Sequence, residues 1–135
     1  MIIRTTPDKE KARSLFSMTE HREKFINSLL VSDDSATVIT ENYYEIIKEL
    51  GTIILLVDGF KTIGEYAHKE IIEYLAKNKV LDSSEAEIAD DLRTKRNYSS
   101  YEGRKISKEY ITNKKASLLN IIAKLKDLAK TKLSK

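Results

Sequence analysis

The stretch at residues 35–58, SATVITENYYEIIKELGTIILLVD, decides the fold. Ala36, Ile39, Tyr43, Ile46, Ile47, Leu50, Ile54 and Val57 recur in steps of three and four. That spacing lays one apolar stripe along a helix. A stripe this long must be covered, so it is a candidate both for the core and for a dimer seam. The polar break SDDSA at 32–36 offers several caps at its start, and Gly59 stands where a left-handed stop residue belongs. Gly51 lies inside the stripe, where glycine costs about 1 kcal/mol relative to alanine. Close approach of another helix is the expected reason for it.

Four more helices are expected around this one. The first covers 7–30, with Thr6 as cap, Pro7 at the first helical position, and Asp8 and Glu10 at the positive end of the dipole. Its stripe is Ala12, Leu15, Phe16, Thr19, Ile26, Leu29 and Leu30, and His21 falls one step off it. The third helix spans 62–78 and buries Ile63, Ala67, Ile71, Tyr74 and Leu75. His68 lies beside that side and reads as a packed or capping residue. The fourth starts in LDSSEAE, where Ser84 and Glu87 fit a capping box, and runs to about residue 101, with Gly103 ending it. The fifth restarts at Ser107 and continues to about 132 on Tyr110, Ile111, Leu118, Ile121, Ile122, Leu125, Leu128 and Ala129. With short connections, no repeat and no linker, the chain reads as one domain, 1–135. The expected fold class is all-α: an antiparallel up-and-down bundle of four to five helices, dimeric.

Composition narrows the function classes. The 135 residues are 41% apolar and 33% charged, as in a charge-rich globular protein with one modest core. One proline and four glycines are too few for a many-turned β fold. The absence of cysteine excludes disulfides, a thiol nucleophile and a cysteine zinc site. With only His21 and His68, no metal and no cofactor are expected. The N-terminus lacks the apolar core of a signal peptide, and the apolar run IILLV at 53–57 is too short for a bilayer, so a cytoplasmic protein without membrane contact is expected. Charge is uneven. Residues 1–103 carry 14 Lys+Arg against 19 Asp+Glu (−5), and residues 104–135 carry 10 against 2 (+8). The basic end either meets a polyanion or forms a solvated face that partners the acidic half.

The second informative stretch is DDLRTKRNYSSYEGRKIS, 90–107. Glu85, Ile88, Ala89, Leu92, Arg96 and Ser99 share a helix face, so a guanidinium arrives where an apolar side chain is expected. An enclosed arginine must be paired or must line a site for an anion. Its planar fork of donors suits phosphate. Asn97 and Tyr101 follow on an adjoining face that also carries Asp90 and Arg93 or Thr94. The opposing reading is structural: Arg96 pairs with Asp58, Glu65 or Glu49 and fixes the packing.

The run LLVDGFKTIGEYAHKEIIEYL, followed by DDLRTKRNYSSYEG and a last amphipathic helix, resembles a HEPN domain (higher eukaryotes and prokaryotes nucleotide-binding) over roughly residues 35–130. The resemblance implies a helical bundle that dimerises. It also implies either a metal-independent endoribonuclease or nucleotide-binding protein, or the partner of a minimal nucleotidyltransferase in a toxin–antitoxin pair. Arg96 matches the family's motif arginine, Asn97 the polar residue after it, and Gly103 a glycine that often follows. Tyr101 stands where the motif histidine is expected, and no histidine follows residue 68. In the family's chemistry the histidine moves protons while the arginine stabilises charge on phosphate. A free phenol titrates near 10 and a free imidazole near 6.5, so a phenol is a poor general base at neutral pH. The expectation is a homodimer that binds RNA or a nucleotide phosphate through Arg96, Asn97 and Tyr101, with Arg96 and Tyr101 as the remaining catalytic candidates and cleavage weak or absent. The alternative is a non-enzymatic interaction module in which Arg96 is structural.

Overall fold

The computed structural model describes residues 1–135. Its elements are β1 (Ile2–Arg4), α1 (Lys9–Asn27), α2 (Ala36–Asp58), β2 (Phe60–Thr62), α3 (Ala67–Lys77), α4 (Ser83–Glu102) and α5 (Lys108–Leu133). The chain is a helical bundle organised on α2. The stripe read from the sequence is buried there: Ile39, Tyr43, Ile46, Ile47, Leu50 and Ile54 are all at most 1% exposed. Against them pack Ala12, Phe16 and Ile26 of α1, Ile71 and Leu75 of α3, Leu92 of α4, and Ile111, Leu118, Ile121, Ile122, Leu125 and Ala129 of α5. Because the chain covers this face itself, the α2 stripe is core and is not available as a dimer seam.

Side-chain pairings give the directions. Arg22 reaches Asn42 and Glu49 across α1 and α2, Lys126 reaches Glu23 and Arg13 reaches the Leu133 carbonyl across α5 and α1, and Lys132 reaches Asp58 across α5 and α2. Arg96 and Ser99 of α4 meet Glu45 and Glu41 of α2, so these two run antiparallel. The order α1, α2, α4, α5 is therefore up-and-down, and α3 is the short additional helix. α3 packs on α2 at Gly51, where an added Cβ would stand 2.4 Å from Ile71 Cγ2. The close approach expected from the sequence is thus the reason for that glycine.

Several local expectations change. Residues 60–62 are not helical: β2 pairs antiparallel with β1, Ile2 opposite Thr62 and Arg4 opposite Phe60. Gly59 ends α2 in the left-handed region as expected, and Gly64, at φ 95°, turns the chain again before α3. The third helix consequently starts at Ala67, not 62, and Ile63 is 42% exposed. α1 is capped by Asp8, whose carboxylate accepts from the Lys11 N–H at 3.0 Å, and not by Thr6. It stops at Asn27, which leaves Leu30 outside and 87% exposed. The capping box of α4 is Asp82 with Glu85, two residues earlier than Ser84 with Glu87, because both reciprocal bonds form there at 2.8 and 3.0 Å. Gly103 ends α4 and Ser107 caps α5 as expected.

The basic C-terminal part spends three lysines on the acidic part. Lys124 meets Glu85, Lys126 meets Glu23 and Lys132 meets Asp58, at 2.6 to 2.7 Å. No helix is long and apolar enough to cross a membrane.

Candidate functional site

α4 is seated by few apolar groups. Ala89 and Leu92 are buried at 1% and 0% exposure, and beyond them the face turned toward α2 is polar. α2 answers with Thr37, Glu41 and Glu45, one helical turn apart on one side of an otherwise apolar helix. The two rows form a ladder. Arg96 Nη2 donates to Glu45 Oε1 at 3.2 Å, Ser99 Oγ donates to Glu41 Oε2 at 2.8 Å, and Ser100 Oγ reaches the same oxygen at 3.3 Å. Past Gly103, the Ile106 N–H donates to Thr37 Oγ1 at 2.9 Å.

The partner of Arg96 is therefore Glu45, and not Asp58, Glu65 or Glu49. The register explains this. Glu49 is held by Arg22 and Thr19 of α1, and Asp58 lies at the other end of α2 with Tyr74 and Lys132. Glu65 precedes α3 in a connecting turn. The pairing leaves Arg96 incompletely satisfied, because Nη1 is buried without a hydrogen-bond partner. The guanidinium carbon lies 5.4 Å from the centroid of the Tyr44 ring and 5.8 Å from that of Tyr101, within cation–π reach of both.

Tyr44 extends the cluster inward. It is 2% exposed and its hydroxyl also lacks a partner. Burial pushes its pKa up to about 12, with the nearby Arg96 charge opposing and Glu45 adding to the rise. Burial alone would raise the Glu45 carboxyl too. The hydrogen bond and charge of Lys48, then Arg96 and Arg22, outweigh it and hold the pKa below the ordinary value. The His68 ring stands 6.1 Å from the Tyr44 ring. Its pKa is lowered by burial and by the charges of Lys48, Arg96 and Arg93, against the opposing pull of Glu45. A neutral imidazole at pH 7 results, able to accept a proton or a hydrogen bond.

Of the residues expected from the sequence, Arg96 and Tyr101 come together, with Tyr101 76% exposed at the rim. Asn97 is half-buried, and its amide makes no hydrogen bond within the protein. Arg93 is tied back to Asp90 at 2.9 Å. Tyr44, Glu45 and His68 were not singled out as site residues. One signal points to Glu45: Glu41 and Glu45 interrupt an apolar helix at four-residue spacing, opposite a misplaced arginine. His68 had no comparable signal, since its approach to Tyr44 depends on how α3 crosses α2. No group of three or more histidine or carboxylate side chains is placed to hold a metal ion.

No family model and no curated protein matches the chain. The solved structure of YutE, a cytosolic protein of unknown function from Bacillus subtilis, superposes with a TM-score of 0.55 over 96% of this chain and 94% of its own, at 16% identity. At that identity the match shows a shared fold.

Proposed function

We propose that this chain is a HEPN-like, cytoplasmic homodimer that binds RNA or a nucleotide phosphate around Arg96, with cleavage weak or absent. The observation that carries the reading is a pair of buried donors without acceptors, Arg96 Nη1 and the Tyr44 hydroxyl, packed against each other's side chains. Leaving such groups unpaired costs about 1–3 kcal/mol each, and an anionic oxygen would satisfy them. Tyr101 stands beside them with its hydroxyl uncommitted, so the resemblance and the geometry both favour Arg96 and Tyr101, and the resemblance adds Asn97. The absence of a histidine after Arg96 on α4 argues for binding over cleavage.

The test uses a single-stranded RNA in a filter-binding assay at fixed salt. Arg96→Ala is expected to abolish binding while the fold and the dimer persist; unchanged binding overturns the assignment. Tyr101→His is expected to gain ribonuclease activity if only a proton-transfer group is missing.

A second reading is favoured by two observations. The Arg96–Glu45 pair lies within one chain, as a packing device would. In addition, Met18 and Phe25 on α1 and Leu30 beyond its end are 57%, 63% and 87% exposed, apolar side chains suited to a protein partner. In this reading the chain is a non-enzymatic interaction module for a minimal nucleotidyltransferase. Co-purification with such a partner, lost in Phe25→Asp but kept in Arg96→Ala, distinguishes it from the first.

A further inference from the structure

A cleft of about 360 Å³ opens where α1, α2, β2 and the first turn of α3 meet. Lys11, Lys48 and Lys61 line it from three different elements, with His68, Thr52 and Thr62 between them, and its lining contains no carboxylate. Three lysine side chains thus border one concavity, and their positive charge favours an anion there. Lys11 and Lys61 are exposed and have no ion-pair partner, whereas Lys48 is held by Glu45 at 2.7 Å. Two further features suit an organic phosphate. The N-terminus of the 11-residue α3 has no side-chain cap, and its first residues, Ala67 and His68, belong to the wall of the cleft. Leu55, Leu56 and Ile71 form an apolar floor that fits the non-ionic part of a ligand. His68 also joins the cleft to the cluster already described, through the Tyr44 ring that Arg96 covers.

We propose that this cleft binds a phosphate group and supplies a second phosphate contact, beside Arg96, for a nucleotide or RNA. The identity of the ligand rests on the function proposed above; the anion affinity of the cleft does not. Lys11 and Lys61 act as the mobile cations, and Lys48, fixed by Glu45, as the oriented one. The Thr62 hydroxyl and the imidazole supply the short-range hydrogen bonds.

The protein carries its own reporter and its own control. His68 lines the cleft, while His21 lies exposed on α1 with Nδ1 near the Ser17 carbonyl. The charged groups acting on His68 are Lys48, Arg96 and Arg93, which disfavour the imidazolium, and Glu45, which favours it. A bound phosphate adds negative charge, so the titration midpoint of His68 moves up. The experiment follows the imidazole C–H signals of both histidines in the intact protein by NMR, during titration with inorganic phosphate at constant ionic strength. A saturable shift and a raised midpoint are expected for His68 alone. The double variant Lys11→Gln/Lys61→Gln is expected to weaken phosphate binding at least tenfold. Equal, non-saturating responses of His21 and His68, or unchanged binding in the double variant, overturn the proposal.

Two further probes separate the sources of the phosphate. Tighter binding of a nucleoside monophosphate than of inorganic phosphate supports a mononucleotide on the apolar floor. Tighter binding of a single-stranded RNA supports the polymer, and the double variant then lowers the salt slope of log K by about 1.4. Loss of RNA binding in Arg96→Ala, together with weakened phosphate binding in the double variant, is the result expected when both sites hold. RNA binding that ignores Arg96 while phosphate still binds the cleft rejects the proposed function and leaves the cleft standing.

Discussion

α2 and α4 are helices of similar length, 23 and 20 residues, packed antiparallel against each other, yet they are held in different ways. α2 buries thirteen of its residues, α4 only Ala89 and Leu92. The first is stabilised by apolar area removed from water, at about 25 cal/mol per Å². The second rests on two apolar anchors and then on a ladder of charge-assisted and hydroxyl hydrogen bonds to Glu41 and Glu45. The difference teaches where a ligand can be accommodated. The two unpartnered donors, the Tyr44 hydroxyl of α2 and Arg96 Nη1 of α4, both lie where the apolar packing gives way to the polar ladder, and that seam is where a ligand can be accommodated.

The contrast is broken most sharply by truncation on each side. Ile47→Ala, at 1% exposure in α2, is expected to cost about 2–5 kcal/mol in urea unfolding, and Tyr101→Ala, exposed at the end of α4, no more than about 0.5 kcal/mol. Equal losses would erase the distinction. The ladder is tested next. Arg96→Ala is expected to cost about 1–3 kcal/mol, toward the lower end because Lys48 still neutralises Glu45. A double-mutant cycle with Glu45→Gln should return a favourable coupling; a coupling near zero would mean that the pair does not hold α4.

Gly51→Ala sharpens the α2 side. Helix propensity favours alanine by about 1 kcal/mol, but the new Cβ meets the buried Ile71 at 2.4 Å, and overpacking costs about 1–3 kcal/mol. The clash is severe and Ile71 is β-branched, so net destabilisation of about 1–2 kcal/mol is expected, read from the shift in the urea midpoint. A stabilised variant would show that α3 can move away.

The smallest effects are those of pH. His68 and Glu45 both have lowered pKa values in the folded chain. The unfolded chain therefore takes up protons first as pH falls, and stability declines, beginning near 6.5 for the imidazole and continuing through the carboxylate range. His68→Gln should remove the upper part of that decline. On the alkaline side the unfolded Tyr44 phenol ionises near 10 and the folded one near 12, so stability present below 10 is lost across that window. Tyr44→Phe should reduce this loss, shared with Tyr43, Tyr74 and Tyr110, and leave neutral-pH stability unchanged or improved, since it removes a hydroxyl without a partner.

Most of the helical architecture was legible because it is written in local terms. The three- and four-residue period of α2, the stops at Gly59 and Gly103, and the start at Ser107 each depend on a few neighbouring residues. The misplaced charge at Arg96 was legible for the same reason: Leu92 and Arg96 share a face whatever the helix packs against. The strands were not legible, since three residues carry no period and Ile2–Arg4 pair with Phe60–Thr62 from far along the chain. The boundaries of α1 and α3 moved because caps compete, and Asp8 and Gly64 won over Thr6 and a continued helix.

The sequence by itself thus determined an all-α bundle, the helix that fills its core and the arginine that breaks an apolar face. Only the tertiary structure decided which carboxylate Arg96 meets, that Tyr44 lies under it, and that His68 joins it to a lysine-lined cleft. The physical reason is one of range. Periodicity and capping act within a few residues, whereas a side chain's partner is set by the register and crossing of whole helices, which the packing of α2 against all the others imposes.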